Sequence, residues 1–209
     1  MEIDNRERAR RVHPHLTNFE IKRQLFHIFL GLVIVALLKY GIIGKEIILT
    51  VLIIGVVISF LSRSMKIPII HQLLQKFERK EEIEKFPGKG VIFYFIGAYI
   101  SISLFSKDIA LASIMILALG DSVSHLFGLH FGKIKHPLSK TKFLEGTIAG
   151  FFAGFLGALI FVGLTEAFFA SLIAMIFEAI EIKIGAEQVD DNLIMPFVAG
   201  AAVWIVRLL

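Results

Sequence analysis

Asp121, Ser124, His125, Gly128 and Gly132 recur at helical spacing just past an eleven-residue apolar run, Ile109 to Leu119. On a helix the last four would sit at about 300°, 40°, 340° and 20° from Asp121, so all five share one face. The glycines leave that face bare, and another group can approach the backbone there. Lys133, Lys135, Lys140 and Lys142 follow within ten residues, with His136 and Thr141 among them. Glu145-Gly146 then opens the next apolar segment, whose first amides and dipole would favour an anion. One carboxylate for a metal, several ammonium groups and a helix N-terminus together could hold a polyphosphate. Asp121 and His125 are the candidate catalytic pair. Bland readings compete: Gly-x3-Gly packs helices, a lysine loop orients a membrane protein, and Asp121 could simply pair with a lysine.

Two further groups could contribute. Asp190-Asp191-Asn192 offers two more carboxylates for a metal and an amide for a base, or a solvated loop with a helix cap at Asn192. Lys22, Arg23 and His27 stand where a headgroup would meet the bilayer. Snorkelling explains the first two cheaply, whereas His27 lies a turn further in. Glu178 and Glu181 are left between pairing with the lysine loop and lining the site.

The elements that position these residues are apolar. The chain has 209 residues, 56% of them hydrophobic, with a mean hydropathy of +0.77. Long apolar runs broken by short charged loops predict an all-α integral membrane protein. About seven transmembrane helices are expected, over 24–40, 46–61, 91–105, 109–131, 143–164, 166–182 and 193–209. The fourth can cross only if it continues through Asp121 towards Phe131, and Asp108 is its expected N-cap. Ile69, Ile70, Leu73, Leu74 and Phe77 make one stripe, predicting a cytosolic amphipathic helix between the second and third spans. Residues 1–23 read as a polar, basic N-terminal segment with no signal peptide, and 24–209 as one polytopic domain. Absence of cysteine removes disulfides, zinc thiolates and thiol nucleophiles.

With a cytosolic N-terminus, eighteen of the 22 Lys and Arg fall on the cytosolic side, as the positive-inside rule requires. Every candidate cluster then shares that face. The basic loops serve orientation and phosphate contact rather than nucleic acid.

The residues Asp121, Ser124, Gly128, Gly132, Lys133, Lys142, Glu145 and Gly146 resemble the nucleotide signature of CTP-dependent lipid kinases. That family includes dolichol kinase, phytol kinase and a diacylglycerol kinase. Ser124 stands where the family has Ala, and Phe143 where it has Ser. Glu20-x-Lys22-Arg23-x3-His27 and Asp190-Asp191-Asn192-x3-Pro196-x3-Gly200 resemble its terminal motifs, and Pro87-Gly88-Lys89-Gly90 is a weaker match.

The resemblance implies transfer of the γ-phosphoryl group of CTP to a membrane lipid alcohol, with Mg2+, in the plasma membrane if the cell is prokaryotic. Asp121, Asp190 and Asp191 would bind metal. Gly128, Gly132, Lys133, Lys140, Thr141, Lys142, Glu145, Gly146 and Asn192 would bind nucleotide. A homodimer is among the expectations. Phosphatidate cytidylyltransferases carry a similar central stretch, but the Lys-Arg, Lys-Asp and Gly-His-Gly-Gly run expected after it is absent here. A transporter or scaffold is the third reading, with polar groups gathered on one side and no inverted repeat to support it.

Overall fold

The computed structural model describes residues 14–209 apart from Lys66, Lys140, Glu181 and residues 185–186. The N-terminal arginines and the expected phosphate contact Lys140 therefore lie outside the described residues, as does Glu181.

Helix α1 (Pro14–Lys39) ends at a turn where Gly41 takes φ 68°, and α2 (Lys45–Ser64) returns. Two short helices follow, α3 (Pro68–Phe77) and α4 (Lys80–Lys85). Proline at the first position of α3 gives up an amide that would have no partner there. Gly88 at φ 79° makes the bend into α5 (Lys89–Leu104), a conformation that side chains with a Cβ rarely adopt. The Glu78 carboxylate accepts the Gly88 amide at 2.6 Å and the Gly90 amide at 3.4 Å, which pins the bend. Burial pushes the Glu78 carboxyl above its usual range, against the pull of those amides.

The centre of the molecule is one 25-residue rod, Lys107–Phe131. It comprises α6 (Lys107–Met115), a π-helical turn (Ile116–Asp121) and α7 (Ser122–Phe131). The helix does run through Asp121 to Phe131, as crossing a bilayer demands. Its cap differs from expectation: Ser106 occupies the N-cap, and Asp108 sits in the first turn accepting the Ser106 hydroxyl at 2.6 Å. Every residue from Ile109 to Ala118 is buried. The π turn amounts to one extra residue, so the face beyond it is rotated by about 100° from where α6 would have put it. Such turns are frequent at functional sites.

Around the rod stand α1, α5, α8 (Leu144–Ala158), α9 (Leu164–Ala179) and α10 (Asp191–Leu208). Gly146, Gly150, Gly154 and Gly157 on α8 all face the rod. A Cβ on Gly150 would stand 2.6 Å from the Gly120 carbonyl oxygen, so the stripe is a packing surface that lets two backbones close. A two-residue antiparallel pair, Lys183–Ile184 with Glu187–Gln188, joins α9 to α10. Helix α2 is peripheral and leans chiefly on α5.

Among the described residues, four helices are long and apolar enough to cross a membrane: Asn18–Lys39, Lys45–Ser64, Lys107–Phe131 and Asp191–Leu208. Helices α5 and α8 are apolar but shorter. This is the make-up of an integral membrane protein.

One end of the bundle is tied by charge. Arg207 on α10 donates to Glu166 on α9 at 2.8 Å and pairs with Asp108 on α6 at 2.5 Å. All three groups are partly open to solvent, so replacing Arg207 with Met should cost only about 1 kcal/mol. Thermal unfolding in detergent checks this. A loss of several kcal/mol would mean that the tie carries far more of the fold than its exposure allows.

Candidate functional site

The other end holds a polar pocket of about 510 Å³. Three carboxylates converge in it, each from a different helix. Asp121 comes from the π turn, Glu178 from the last turn of α9 and Asp191 from the first residue of α10. They offer oxygens that lie within 4.8 Å of one another. Glu178 is buried, and its Oε2 has no hydrogen-bond partner within the protein.

Lys142 reaches into this cluster. Its Nζ stands 2.8 Å from Glu178 Oε1 and 2.8 Å from Asp191 Oδ2, and it also donates to the Glu178 backbone carbonyl. Burial alone would lower the Lys142 pKa, but the two carboxylates outweigh it and hold the ammonium above its usual range. A raised ammonium pKa contributes stability that persists until pH climbs through it, so Lys142 stays charged throughout the physiological range. Three carboxylates meet one ammonium here, a donor set of the kind that could hold a divalent cation.

The loop from Gly132 to Phe143 is folded so that Lys142 turns inward. His136 N donates to the Lys142 carbonyl at 3.1 Å, and Leu144 N to the Ile134 carbonyl at 3.0 Å. Buried Ser139 accepts the Thr141 and Lys142 amides. Lys135 lies over the Phe143 ring, 4.7 Å from its centroid. His136 is held below its usual pKa by burial and by the Lys142 charge.

A second network forms the pocket's rim. Glu20 on α1 accepts Arg23 at 3.0 Å, Arg79 at 3.0 Å and His125 Nε2 at 3.1 Å. One carboxylate thus aims two guanidinium groups and an imidazole at the pocket that Arg23, Arg79 and His125 line. Planar guanidinium forks suit phosphate oxygens. Lys89 adds a further cation to the wall. Gln24 lines the same pocket, buried, with Oε1 lacking a partner.

The expected residues divide accordingly. Asp121, His125, Gly128, Thr141, Lys142, Asp190, Asp191, Asn192 and Arg23 all line the pocket. Of the expected metal set, Asp121 and Asp191 lie together in the cluster, with Glu178 as the third carboxylate beside them. Asp190 is instead the N-cap of α10, accepting Asn192 N at 3.1 Å and Asn192 Nδ2 at 2.8 Å. The cap is therefore Asp190 rather than Asn192. Burial raises the Asp190 carboxyl pKa against those bonds. Asn192 is buried with Oδ1 unpartnered, so its amide has an acceptor to spare.

Other expected contacts stand apart from the pocket. Gly128 borders the pocket, but the gap at Gly132 is filled by the protein itself. A Cβ on Gly146 would lie 2.5 Å from the Ser124 carbonyl, and one on Gly132 would strike the Phe143 ring at 2.3 Å. Gly132 and Gly146 are thus packing positions between α7 and α8. Glu145 does not face the pocket: its carboxylate accepts the Lys133 and Ile134 amides at 3.1 Å and ties the loop to α8. Lys133 and Lys22 are exposed and line neither cavity. His27 is buried against Tyr94, ring centroids 5.6 Å apart, and faces a second cavity.

Glu178, left in the sequence between pairing with the lysine loop and lining the site, does both. Glu20 and Lys89 stood in the sequence only inside motif matches, and Arg79 and Gln24 were not singled out for the site. Their local signal was position: charge and amide at a helix mouth and beside the Pro87-Gly88 breaker.

A helical membrane bundle with a carboxylate-lined polar chamber at one end is the class that the fold and the site define. The chain belongs to the same family as the uncharacterised protein MJ1137 of Methanocaldococcus jannaschii, with which it is 33% identical over 189 residues, 87% of this chain and 91% of that one. It is also similar to CTP-dependent diacylglycerol kinase 1 of Saccharomyces cerevisiae, 30% identical over 154 residues, 71% of this chain and 52% of that one. The kinase of the same name from Schizosaccharomyces pombe is 28% identical over 138 residues, 60% of this chain and 63% of that one. The chain spans between about half and 63% of the length of these kinases. Their similarity supports a place among CTP-dependent lipid kinases. No family model matches the chain, and no solved structure matches it.

Proposed function

We propose that this protein transfers the γ-phosphoryl group of CTP to the hydroxyl of a membrane lipid alcohol. The observation that carries the reading is the meeting of Asp121, Glu178, Asp191 and Lys142 in a pocket rimmed by Arg23 and Arg79. The similarity to CTP-dependent diacylglycerol kinases supports the donor and the class of acceptor. Diacylglycerol is the acceptor named for those relatives, and a polyprenol such as dolichol is the other candidate.

In this reaction the lipid oxygen bonds to the γ-phosphorus, the bond to the β–γ bridging oxygen breaks, and CDP departs. Little covalent work falls to the protein, and catalysis is positioning and charge neutralisation. Arg23, Arg79 and Lys89 hold phosphate oxygens from the rim. Lys142 stabilises charge from below. Asn192 and Gln24, each with a spare buried acceptor, face the nucleotide. The hydroxyl proton passes to a pocket carboxylate or to His125, whose other partner is Glu20. Asp121, Glu178 and Asp191 fit Mg2+ by hardness, number and charge, with one buried carboxylate oxygen still unpartnered. Bound there, the ion would neutralise charge on the transferring phosphoryl oxygens.

Seven spans with a cytosolic N-terminus would bring the pocket to the face where nucleotide is available. Eighteen of 22 basic residues on that side support the orientation. On this reading α3 lies in the headgroup region.

Purified protein given γ-labelled CTP should pass label to a polyprenol or to diacylglycerol, and a matrix of nucleotides and lipids identifies the best pair by product mass. Lipid label arising only from α-labelled CTP would overturn the kinase in favour of a cytidylyltransferase.

A further inference from the structure

A second cavity, of about 270 Å³, adjoins the polar pocket at the same end of the bundle. Its walls are α1, the later half of α2, the inner face of α3 and the start of α5. The lining is mostly apolar, with Phe26, Ile58, Ile70, Leu74 and Phe77 prominent. Phe77 stacks on Phe26 with centroids 4.6 Å apart, fastening α3 over α1 as a roof.

Three features set this cavity apart from an ordinary packing gap. It shares Arg23, Glu82 and Gly90 with the polar pocket, so a single wall divides the two. Buried polar atoms without partners mark it: His27, 6% exposed, has an orphaned Nδ1, and Ser62 has an orphaned Oγ. It also lies between α1, which packs on the rod and α3, and α2, which packs on α5, rather than the two packing closely on each other. The outer faces of those helices expose Leu25, Phe29, Ile54 and Phe60, surface suited to a bilayer.

We propose that this cavity is the acceptor chamber, taking the apolar chain next to the hydroxyl of a lipid alcohol and directing that hydroxyl past Gly90 to the polar pocket. The inference rests on the kinase reading above. A long apolar chain with one hydroxyl matches a mostly apolar wall and a few unpartnered polar atoms. Gly90 keeps the dividing wall thin: a Cβ there would lie 3.6 Å from His27 Nε2. The cavity holds only the proximal part of such a chain. The remainder leaves between α1 and α2 into the bilayer, so turnover depends little on tail length beyond that part.

Gly55 gives a clean test. It lines the cavity, and a Cβ there meets only Ile92 Cγ1, at 3.9 Å, so a side chain can start from this position without a clash at the backbone. Gly55→Phe should lower turnover at limiting alcohol by about tenfold or more, with CTP-induced thermal stabilisation unchanged. Phe60→Trp, on the outward face of the same helix, should change neither.

Photolabelling needs no turnover and separates this inference from the kinase reading. A diazirine polyprenol and a diazirine diacylglycerol are each given to wild type and to Gly55→Phe, and labelled residues are mapped by mass spectrometry. Label on Ile58 or Leu74 that is displaced by the unlabelled alcohol and lost in Gly55→Phe supports the chamber, and the more efficient probe shows which alcohol it takes. Label confined to Leu25, Phe29 and Phe60 overturns it. So does displacement by phospholipid but not by the alcohol, or wild-type turnover in Gly55→Phe. A wild type that labels in the cavity yet transfers no γ-phosphate refutes the kinase alone.

Discussion

Asp121→Asn is expected to cut phosphoryl transfer by about a thousandfold or more while the protein remains folded in the membrane, because interactions with the transferring phosphate are made chiefly in the transition state. The substitution keeps size and removes one charge from a cluster that depends on three. Asp121 is only partly buried, so the fold loses little with it. The cluster loses one of the three carboxylates that would hold the proposed ion. Radiolabel transfer from CTP to lipid measures the outcome, and thermal unfolding controls for stability. Wild-type-like turnover in Asp121→Asn would remove the proposed centre. Full activity restored by a tenfold rise in Mg2+ would assign Asp121 to ion affinity rather than to proton transfer.

Lys142→Met should act on stability as strongly as on chemistry. The side chain keeps its length and apolar stem but loses the charge that holds Glu178 and Asp191 together. Removing one partner of a buried ion pair typically costs 3–5 kcal/mol, about what is expected here. The ammonium also bonds the Glu178 carbonyl, and that contact is lost too. A divalent cation can stand in for the missing charge. Millimolar Mg2+ should therefore raise the unfolding temperature of Lys142→Met more than that of wild type, by ordinary binding linkage. Equal shifts in the two proteins would mean that any bound ion lies too far from position 142 to sense its charge, which would remove it from the cluster.

Much of this arrangement is written locally. Apolar runs locate most helix ends to within a few residues, though the first helix begins ten residues early, at Pro14, and α8 stops at Ala158, six short of the expected 164. The length of a bilayer crossing already required the fourth helix to continue towards Phe131. Asp121, Lys142 and Asp191 stood out because each is ionisable beside membrane-grade apolar sequence. Glu178 was legible as a partner of the lysine loop or a lining residue but not as a neighbour of Asp121, because no period or spacing relates residue 178 to residue 121. That proximity is made by α8, whose glycines draw the lysine loop and α9 towards the rod. The choice between Asp190 and Asp191 is likewise invisible in sequence. Neighbouring residues at a helix start diverge by about 100°, so one caps the helix and the other reaches the cluster. The bare glycine face suggested room for a ligand, yet a helix with its own glycine was the group that came close.

Asp108 and Asp121 lie near opposite ends of the apolar stretch of the rod, and Glu166 and Glu178 at opposite ends of α9. Arg207 and Asp191 stand likewise on α10. The same three helices are therefore laced at both ends, about 18–24 Å apart at 1.5 Å per residue. One lacing is a guanidinium belonging to the chain. The other is an ammonium on a loop that ties α9 to α10, with Asp121 of the rod beside it. With the proposed ion closing that end, the frame is a tripod with one fixed collar and one removable one. A rotation of about 5° at the collar would move the far feet by about 2 Å, so hydrogen exchange should quicken near Glu178 and Asp191 when Mg2+ is withheld, and hardly at all near Arg207.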